Sequence, residues 1–400
     1  MKKLIYFILL FYYKIEFLFL RITPLKIENS ILISKLDNIG DFIIWLDSAS
    51  EYKKNYEAKI VLLCNQSCFE IAKAFPYFDE IIHVNTKKML FNPFYRLKLL
   101  YPLSKRKFQK IINPIYSRDY FLQDITIKHL RAFEKIGFYG NYINTTSILR
   151  GMGFESINLE SKTKKIHLNA NQFYSMLIPS KEGIIMELNR SSEFIRGLFN
   201  NNFQSSLPNL DLKFEEYKDI EEKEYVILFL GASSLNRVWE REKYAYVINK
   251  LNENIVVCGG KGEEEVFQEI EKHLEQDKKV INLIGKTSLL ELFSLISKAK
   301  YLISNDTSAS HIAPLVKTPS LVLLPGNYYG RFHPYSPEVL KEEDKKYIPK
   351  VVNHPMPCYN CFNICKYGND KTITWPCISN ISVEDVIDKI NEIEKEINND

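Results

Sequence analysis

The sequence lacks several features that mark particular classes of protein. Its 400 residues contain no internal repeat of fixed period and no low-complexity linker longer than a few residues, so neither a repeat architecture nor a long disordered segment is indicated. The formal net charge is only +4, which excludes a polycation built as a whole to bind nucleic acid. An apolar fraction of 46% and this length are instead typical of a soluble protein with two or three domains.

The N-terminus also lacks a complete membrane-spanning run and a signal-peptide cleavage site. The apolar stretch Leu4–Tyr13 follows two lysines, but Lys14 and Glu16 interrupt it. A spanning helix needs about 20 mostly apolar residues, and a signal peptide ends in a small-residue cleavage site. The pattern of residues 1–25 therefore predicts a helix that lies on the surface of a membrane or inserts partly into it. A single-pass anchor and a merely buried helix are the alternatives.

Short apolar strands alternate with helices twice along the rest of the chain, which predicts two doubly wound α/β domains with parallel sheets. The first covers residues 28–220 including a linker, and the second covers residues 221–345. Residues 346–400 contain a cysteine cluster and a closing helix with a capping-box pattern at Ser382. The predicted strands are Ile31–Lys35, Lys59–Cys64, Glu80–Val84, Gln109–Pro114, Ala132–Gly137, Tyr225–Leu230, Asn254–Cys258, Val280–Leu283, Tyr301–Ser304 and Ser320–Leu324.

Polar turns follow three of these strands. They are Gly40-Asp41 in the first domain, and Gly231–Ser234 and Asn305–His311 in the second. Ligands of such sheets bind at the carboxyl ends of the strands, where helix N-termini offer free N–H groups to anions. We therefore expect a ligand site in a cleft between the two domains, with simple helix capping as the alternative for Gly40-Asp41 and for Asn305–His311.

Three motifs in this order resemble those of glycosyltransferase family 9, which includes the lipopolysaccharide heptosyltransferases. They are Lys35–Asp41, Gly231–Ser234 with Arg237–Trp239, and Ser304–Ala313. The resemblance implies the GT-B fold and an inverting, metal-independent transfer of a sugar, expected to be a heptose, from a nucleotide diphosphate donor such as ADP-heptose. It also implies a lipopolysaccharide-core or related glycolipid acceptor, on the cytoplasmic face of the inner membrane, with peripheral or N-terminally anchored attachment. Ser308 stands where the family usually has glycine, and Arg237 replaces a more frequent lysine.

The resemblance places the catalytic general base at Asp41, beside Gly40. An inverting transfer needs one group to take the proton of the acceptor hydroxyl, and a carboxylate next to glycine can face a ligand without steric cover. Capping of a helix that starts at Phe42 is the alternative. Asp37, four residues earlier, is the competing carboxylate, and we expect a structural role in the turn for it.

The second domain is expected to bind the donor. No metal motif of the Asp-x-Asp kind sits in a suitable place, so fixed cations and helix N-termini must stabilise the departing diphosphate. Arg237 suits the phosphates, although a surface ion pair with Glu240 or Glu242 is the alternative. The predicted substrate-binding residues are Gly40 in the first domain and, for the donor, Ser233, Ser234, Arg237, Glu264 for the ribose (with Glu265 second), Thr287 near the adenine, Asp306 for the sugar, Thr307, Ser308, and His311 for the phosphate unless it is a neutral core histidine.

The stretch Ile81–Arg118 has nine Lys or Arg residues and no Asp or Glu, with aromatic residues interleaved. Such a face fits anionic lipid and a phosphorylated glycolipid, or nucleic acid, and the apolar N-terminus favours the membrane. Two alternative functions remain: a non-catalytic nucleotide-sugar-binding protein of the same fold, and a nucleic-acid-binding protein that uses this stretch.

The seven cysteines divide into two groups. Cys64, Cys68 and Cys258 lie in strand-like or helix-like segments and are expected in the cores. Four more cluster near the C-terminus at a spacing close to that of a structural zinc site, with two disulfides or free thiols as alternatives. No cofactor is expected in catalysis. The clustered residues are Cys358, Cys361, Cys365 and Cys377.

Overall fold

A computed structural model describes residues 2–399 except 155–158, 208–216, 218–219, 221–224, 233, 340–341 and 369–372. The chain forms two compact units that exchange short segments. The first unit comprises Met1–Phe42, Ser48–Glu182 and Arg190–Phe203, and the second comprises Ile43–Asp47, Gly183–Asn189 and Gln204–Asp400.

The first unit contains a parallel sheet of seven strands in the order β4-β3-β2-β5-β6-β7, with β1 paired beside β5. Its central strands are apolar along their whole length because helices cover both faces of a parallel sheet. The strands are β1 (Lys26–Ile27), β2 (Ser30–Lys35), β3 (Lys59–Asn65), β4 (Glu80–Val84), β5 (Arg106–Asn113), β6 (Arg131–Phe138) and β7 (Met176–Ile178). Up to residue 199 the helices are α1 (Lys2–Arg21), α2 (Ile39–Asn55), α3 (Phe69–Ala74), α4 (Thr86–Phe91), α5 (Pro93–Ser104), α6 (Ile125–His129), α7 (Ile143–Gly151), α8 (Leu159–Asn171) and α9 (Glu187–Phe199).

The second unit has a six-stranded parallel sheet in the order β10-β9-β8-β11-β12-β13. Its last strand and its closing helix come from the segment 346–400, and the helix packs on the same core as the sheet. The strands are β8 (Tyr225–Phe229), β9 (Asn254–Cys258), β10 (Val280–Asn282), β11 (Leu302–Asn305), β12 (Ser320–Leu323) and β13 (Lys350–Val352). The helices are α10 (Arg241–Lys250), α11 (Glu264–Glu271), α12 (Leu289–Lys298), α13 (Ser308–Leu315), α14 (Pro376–Ser379) and α15 (Val383–Asn399).

The prediction of two doubly wound α/β domains is confirmed, and each of the ten predicted strands is present. The sequence did not reveal β1, β7 and β13, which have only two or three residues each. Runs this short contain no measurable periodicity, and β10, of equal length, is predicted only as part of the alternation of strands and helices.

Helix α1 packs on the first unit through one face, where Tyr6, Leu9 and Tyr13 are buried. On this face Glu16 Oε2 lies 2.8 Å from Arg96 Nε and 2.7 Å from His129 Nδ1. Burial opposes the charge of Glu16, but the hydrogen bonds and charges of His129 and Arg96 outweigh it and lower the pKa of that carboxyl. A buried ion pair therefore fixes α1 to α5.

None of the helices in the described ranges has both the length and the apolar character that crossing a bilayer requires.

The basic stretch Ile81–Arg118 does not form one continuous basic face. Arg96 and Arg118 are buried, Arg106 is bonded to Glu28 and Glu80, and Lys110 pairs with Glu134. The prediction of a face formed by all nine cations is therefore wrong. The cations left for a surface patch are Lys87, Lys88, Lys98, Lys105 and Lys107.

We expect the Arg96→Ala variant to lower the free energy of unfolding of the first unit by about 3–5 kcal/mol, because it leaves Glu16 charged and buried without its partner. Urea unfolding followed by far-UV circular dichroism measures this. The control Lys53→Ala removes an exposed ion pair with Asp79 and should cost no more than about 1 kcal/mol. Equal losses in the two variants would contradict the role given to the buried pair.

Candidate functional site

Both sheets reverse their strand order at one point, and the predicted turns lie there. In the second sheet the order changes direction between the neighbours β8 and β11, and in the first between β2 and β5. Adjacent strands that send their connections in opposite directions leave a crevice at their carboxyl ends, which is where ligands of open α/β sheets bind. The loops that follow β8 and β11 therefore form the candidate site of the second unit.

Hydrogen bonds between side chains fix the two strand ends of this site. Tyr244 of α10 donates its hydroxyl to Asn305 Oδ1 at 2.9 Å, and Asn305 Nδ2 donates to the carbonyl of Leu230 at 3.2 Å. Since Asn305 ends β11 and Leu230 follows β8, the amide holds the two loops in register.

Arg237 and Asp306 form a largely buried ion pair across these loops. Arg237 Nη2 donates to Asp306 Oδ2 at 2.8 Å and to the carbonyl of Asp306 at 2.7 Å. The alternative, a surface pair of Arg237 with Glu240 or Glu242, is wrong, because Glu240 pairs with Lys243 instead. The pair brings a guanidinium to the start of α13, where an anion would also meet helical N–H groups.

The start of α13 has the geometry of an anion site. Thr307 is the N-cap residue in an extended conformation, and Ser308 is the first helical residue. Both are half-buried. The first N–H groups of a helix have no partner within the helix, and the helix dipole favours negative charge there. The predicted cap and the predicted ligand site thus coincide at the same turn.

Two histidines and a tyrosine form a buried stack behind this turn. The rings of His311 and His333 lie 4.6 Å apart with 5° between their planes. His311 Nδ1 is 2.8 Å from the hydroxyl of Tyr335, and His333 Nε2 is 2.8 Å from Ser310 Oγ. Burial lowers the pKa of both imidazoles to about 3. His311 is therefore neutral at physiological pH, which favours the core-histidine alternative over a cation for phosphate.

In the described part of the chain, Asp306, His311 and His333 form the group of metal-capable side chains whose ligand atoms lie within 4.8 Å of one another. Their arrangement does not suit a metal ion. The lone pairs of imidazole lie in the ring plane, so those of two stacked rings run parallel and do not converge on one point. Hydrogen bonds with neighbouring hydroxyls also occupy one nitrogen of each ring.

Three consecutive glutamates, Glu263 to Glu265, follow the glycine-rich turn after β9, and their carboxylates have different surroundings. Glu263 is half-buried, and its carboxylate accepts backbone N–H bonds from Gly260 and Ala232, while burial raises its pKa. The predicted ribose ligand Glu264 instead accepts from Asn282 Nδ2 at 3.3 Å, and Glu265 is exposed. The structure therefore places Glu263 closest to the strand ends of β8 and β9.

The remaining predicted donor residues are distributed around the same edge. Ser234 donates its hydroxyl to Asn236 Oδ1 at 2.8 Å, directly before Arg237. Thr287 precedes Ser288, the N-cap of α12. Ser233 lies outside the described residues.

In the first unit, Gly40 and Asp41 lie within the first turn of α2, which begins at Ile39 rather than at Phe42. Asp41 is half-buried and Asn38 is the N-cap residue, so the capping alternative for Asp41 is wrong. The turn follows β2, one of the two strands where the first sheet reverses its order.

Asp37 has a structural role in this turn, as expected. Its carboxylate lies 2.5 Å from Lys35 Nζ and accepts from Gln123 Nε2 at 3.5 Å.

Sequence reasoning missed Glu263, His333 and Tyr335 as members of the site. Glu263 directly precedes the predicted ligand Glu264. The two differ because α11 starts at Glu264, which leaves Glu263 as the N-cap residue. The segment that contains His333 and Tyr335 has no spacing typical of a site, because only the return of the chain from β12 brings it beneath α13.

Comparisons with known proteins show what this chain is similar to in sequence and in fold. Residues 194–352 match the sequence model of Glycosyltransferase family 9 (heptosyltransferase). Lipopolysaccharide heptosyltransferase 3 of Escherichia coli (strain K12) is 28% identical over 122 residues, which are 29% of this chain and 35% of that protein. The chain is similar to the heptosyltransferases of glycosyltransferase family 9. The predicted family resemblance is thereby confirmed, although the match spans about a third of the length of this curated relative.

Solved structures share the fold of this family 9-like chain over nearly its whole length. The glycosyltransferase family 9 protein of Veillonella parvula has a TM-score of 0.67 at 16% identity, covering 94% of this chain and 100% of that one. The E. coli heptosyltransferase WaaC, solved with ADP, has a TM-score of 0.58 at 14% identity, covering 91% and 99%. The predicted GT-B fold is confirmed.

The buried neutral imidazoles predict that the second unit loses stability as pH falls from about 6.5 towards 3. In this window an unfolded histidine binds a proton that the folded one, with a pKa of about 3, does not. Each such group then costs about 1.4 kcal/mol per pH unit. His333→Gln should reduce this slope by that amount, and His273→Gln, at an exposed site, should not.

Urea unfolding at several pH values tests this. Trp239 and Trp375 lie in the second unit, whereas Trp45 lies in α2, most of whose residues belong to the first unit. In a Trp45→Phe background the fluorescence therefore reports on the second unit. An unchanged slope in His333→Gln would contradict the prediction.

Proposed function

We propose that this protein is an inverting, metal-independent glycosyltransferase that moves a sugar, in the first place a heptose, from a nucleoside diphosphate donor to a glycolipid acceptor such as a lipopolysaccharide core. The observation that best supports the donor class is the largely buried Arg237–Asp306 pair at the start of α13, where β8 and β11 diverge. The same fold in a heptosyltransferase solved with ADP supports an adenine nucleotide.

The proposed role of this turn is to stabilise the departing diphosphate. A guanidinium donates to phosphate oxygens in a bidentate fashion, and the helix start adds N–H groups and the positive end of the dipole. Asp306 orients the guanidinium through its carbonyl and carboxylate oxygens. Fixed donors of this kind need no reorganisation as charge develops on the leaving oxygen. The neutral His311–His333 stack supports α13 from below without adding charge.

Asp41 is the proposed general base. Its carboxylate takes the proton of the acceptor hydroxyl while that oxygen attacks the anomeric carbon from the face opposite the leaving diphosphate. It lies in the first turn of α2, where the helix dipole favours negative charge. Two residues are candidates to bind the ribose hydroxyls. They are Glu263, whose carboxylate accepts backbone N–H bonds, and Glu264.

The acceptor and the location are proposed from the outer face of α1. Its exposed apolar residues recur at helical spacing along one stripe, in which Phe11 is 67% and Leu18 is 66% exposed. Phe94, which is 84% exposed, lies beside this face, since Tyr12 donates to the carbonyl of Pro93 at 2.8 Å. The other members of the stripe are Leu4, Phe7, Ile8 and Ile15.

Charge supports an anionic lipid surface as the occupant of this face. Glu16 is the only acid between residues 2 and 27, and it is buried. Exposed apolar side chains bordered by lysines and without acids bind the interface of anionic bilayers. We propose that α1 lies in the cytoplasmic surface of the inner membrane as a peripheral attachment.

Replacement of the proposed base tests the reaction. Asp41→Asn should lower heptose transfer from ADP-heptose to truncated lipopolysaccharide by about 10²–10⁴-fold, while ADP still raises the melting temperature of the variant as it does in the wild type. Asp37→Asn is the matched control and should keep transfer within a few-fold. In the described residues the carboxylate of Asp37 is bonded to Lys35 and Gln123, which have no proposed role in the reaction. Full transfer by Asp41→Asn would overturn the mechanism.

A wild-type protein that binds nucleotide sugars but transfers nothing to any glycolipid would instead identify a non-catalytic binding protein.

Vesicle co-sedimentation tests the membrane proposal. Phe11→Glu/Leu18→Glu should reduce binding to phosphatidylglycerol vesicles at least 10-fold, because it places charge in the apolar stripe. Tyr246→Glu/Ile281→Glu, at exposed sites of the second unit, should not. Wild-type retention on DNA or RNA but not on vesicles would favour the nucleic-acid alternative and contradict the proposal.

A further inference from the structure

Two described parts of the C-terminal cysteine segment, residues 356–367 and 375–377, line one small cavity. All four cysteines line this cavity, whose volume is about 10 Å³, about the size of one water molecule or ion. Cys377 is buried, and Cys358, Cys361 and Cys365 are half-buried. All four are unpaired thiols. The fold therefore brings Cys377 of α14 to the other three across a separation of at least 11 intervening residues.

The backbone of this loop is bent in a way that ordinary loops avoid. Three residues other than glycine adopt left-handed conformations, with φ of 61° at Asn360, 50° at Phe362 and 63° at Asn363. Such conformations are uncommon outside glycine, and a cluster of them points to a functional constraint. Here they turn the chain so that Cys358, Cys361 and Cys365 face the same cavity.

Backbone N–H groups point at the sulfur atoms. Cys377 accepts from the N–H of Gly326, and Cys361 accepts from the N–H of Asn363. A neutral thiol is a weak acceptor, whereas a metal-bound thiolate gains from such donors in the shell around it. The sequence has no Asp or Glu between Asp344 and Asp370, the interval that contains three of the four cysteines.

We propose that Cys358, Cys361, Cys365 and Cys377 bind one thiophilic metal ion, zinc or iron, as a tetrathiolate site. Four sulfur ligands in tetrahedral arrangement select these metals. Binding converts four thiols and one divalent ion into a complex of net charge −2 and releases four protons. No three of these four sulfur atoms, all in the described residues, lie within 4.8 Å of one another, so binding requires the side chains to rotate towards the ion.

The metal loop braces the turn that follows β12. Asn360 N donates to the carbonyl of Gly326 at 2.6 Å, and Phe362 N donates to that of Asn327 at 3.0 Å. The ring of Tyr359 lies so close to Gly326 that a Cβ there would be 2.1 Å from it, which only glycine permits. This turn leads directly to His333 and Tyr335 beneath α13. The bound metal thus stabilises the segment that supports the donor turn.

Metal analysis of the full-length protein, purified without chelators, tests the site. We expect about one zinc or iron per chain by inductively coupled plasma mass spectrometry, with visible thiolate-to-metal absorption only if the ion is iron. Cys361→Ser/Cys377→Ser should lose at least nine-tenths of this metal, and Cys64→Ser/Cys258→Ser, in the strands of the two sheets, should keep it. Cys361→His should retain metal, because Cys3His sets also bind zinc.

Two further readouts keep the proposal falsifiable if the double serine variant folds poorly. Removal of metal from the wild type should raise hydrogen exchange in residues 326–335, and its return should restore protection. The intact protein under non-reducing conditions should have the mass of seven free thiols. A metal content below about a tenth per chain, metal retained by the double serine variant, or a mass lower by four hydrogens would each overturn the proposal.

Discussion

The parallel pairing of β8 with β11 is the constraint on which the second unit depends. It places two strands that are far apart in sequence side by side, with their helices leaving in opposite directions. Asn305 then bonds to Leu230 across the pair, and Arg237 reaches Asp306. The ion pair and the Asn305 bond of the candidate donor site both follow from this one pairing, because it brings the loops after β8 and β11 together.

The charged side chains at the site are neutralised by other groups of the protein or are held in their neutral forms. Arg237 is compensated by Asp306, and the imidazoles of His311 and His333 are neutral because burial disfavours their charged forms. A buried charge is tolerated when it is paired and hydrogen-bonded. The start of α13 thus offers a guanidinium and N–H groups in fixed positions, and on this arrangement we base the proposed binding of a diphosphate.

The peripheral segments differ from the cores in how they are held. Helix α1 is attached by packing and by the buried Glu16–Arg96 pair, which leaves its opposite face apolar and exposed. The cysteine loop is attached by backbone hydrogen bonds to the turn Gly326–Tyr328. The exposed apolar stripe of α1 is unfavourable in water, and the proposed lipid surface would explain it. The left-handed residues of the cysteine loop are likewise unfavourable, and the proposed metal ion would explain them.

Local sequence patterns predicted ten of the strands, the two α/β sheets and the family resemblance, because apolar periodicity and turn motifs depend on neighbouring residues only. They also gave Asp41, Arg237 and Asp306 as candidate site residues, and the structure places Arg237 next to Asp306. They could not distinguish Glu263 from Glu264, which depends on the residue at which α11 starts, nor reveal that Arg237 pairs with Asp306 rather than with Glu240.

Tertiary structure alone decided which charges are buried and which face a surface. The nine cations of Ile81–Arg118 look equivalent in the sequence, yet Arg96 and Arg118 lie in the interior, because α5 packs on α1 and β5 leads into the core. Likewise, His333 joined the site only through the return of the chain after β12. Such contacts join residues remote in sequence, and no local pattern specifies them.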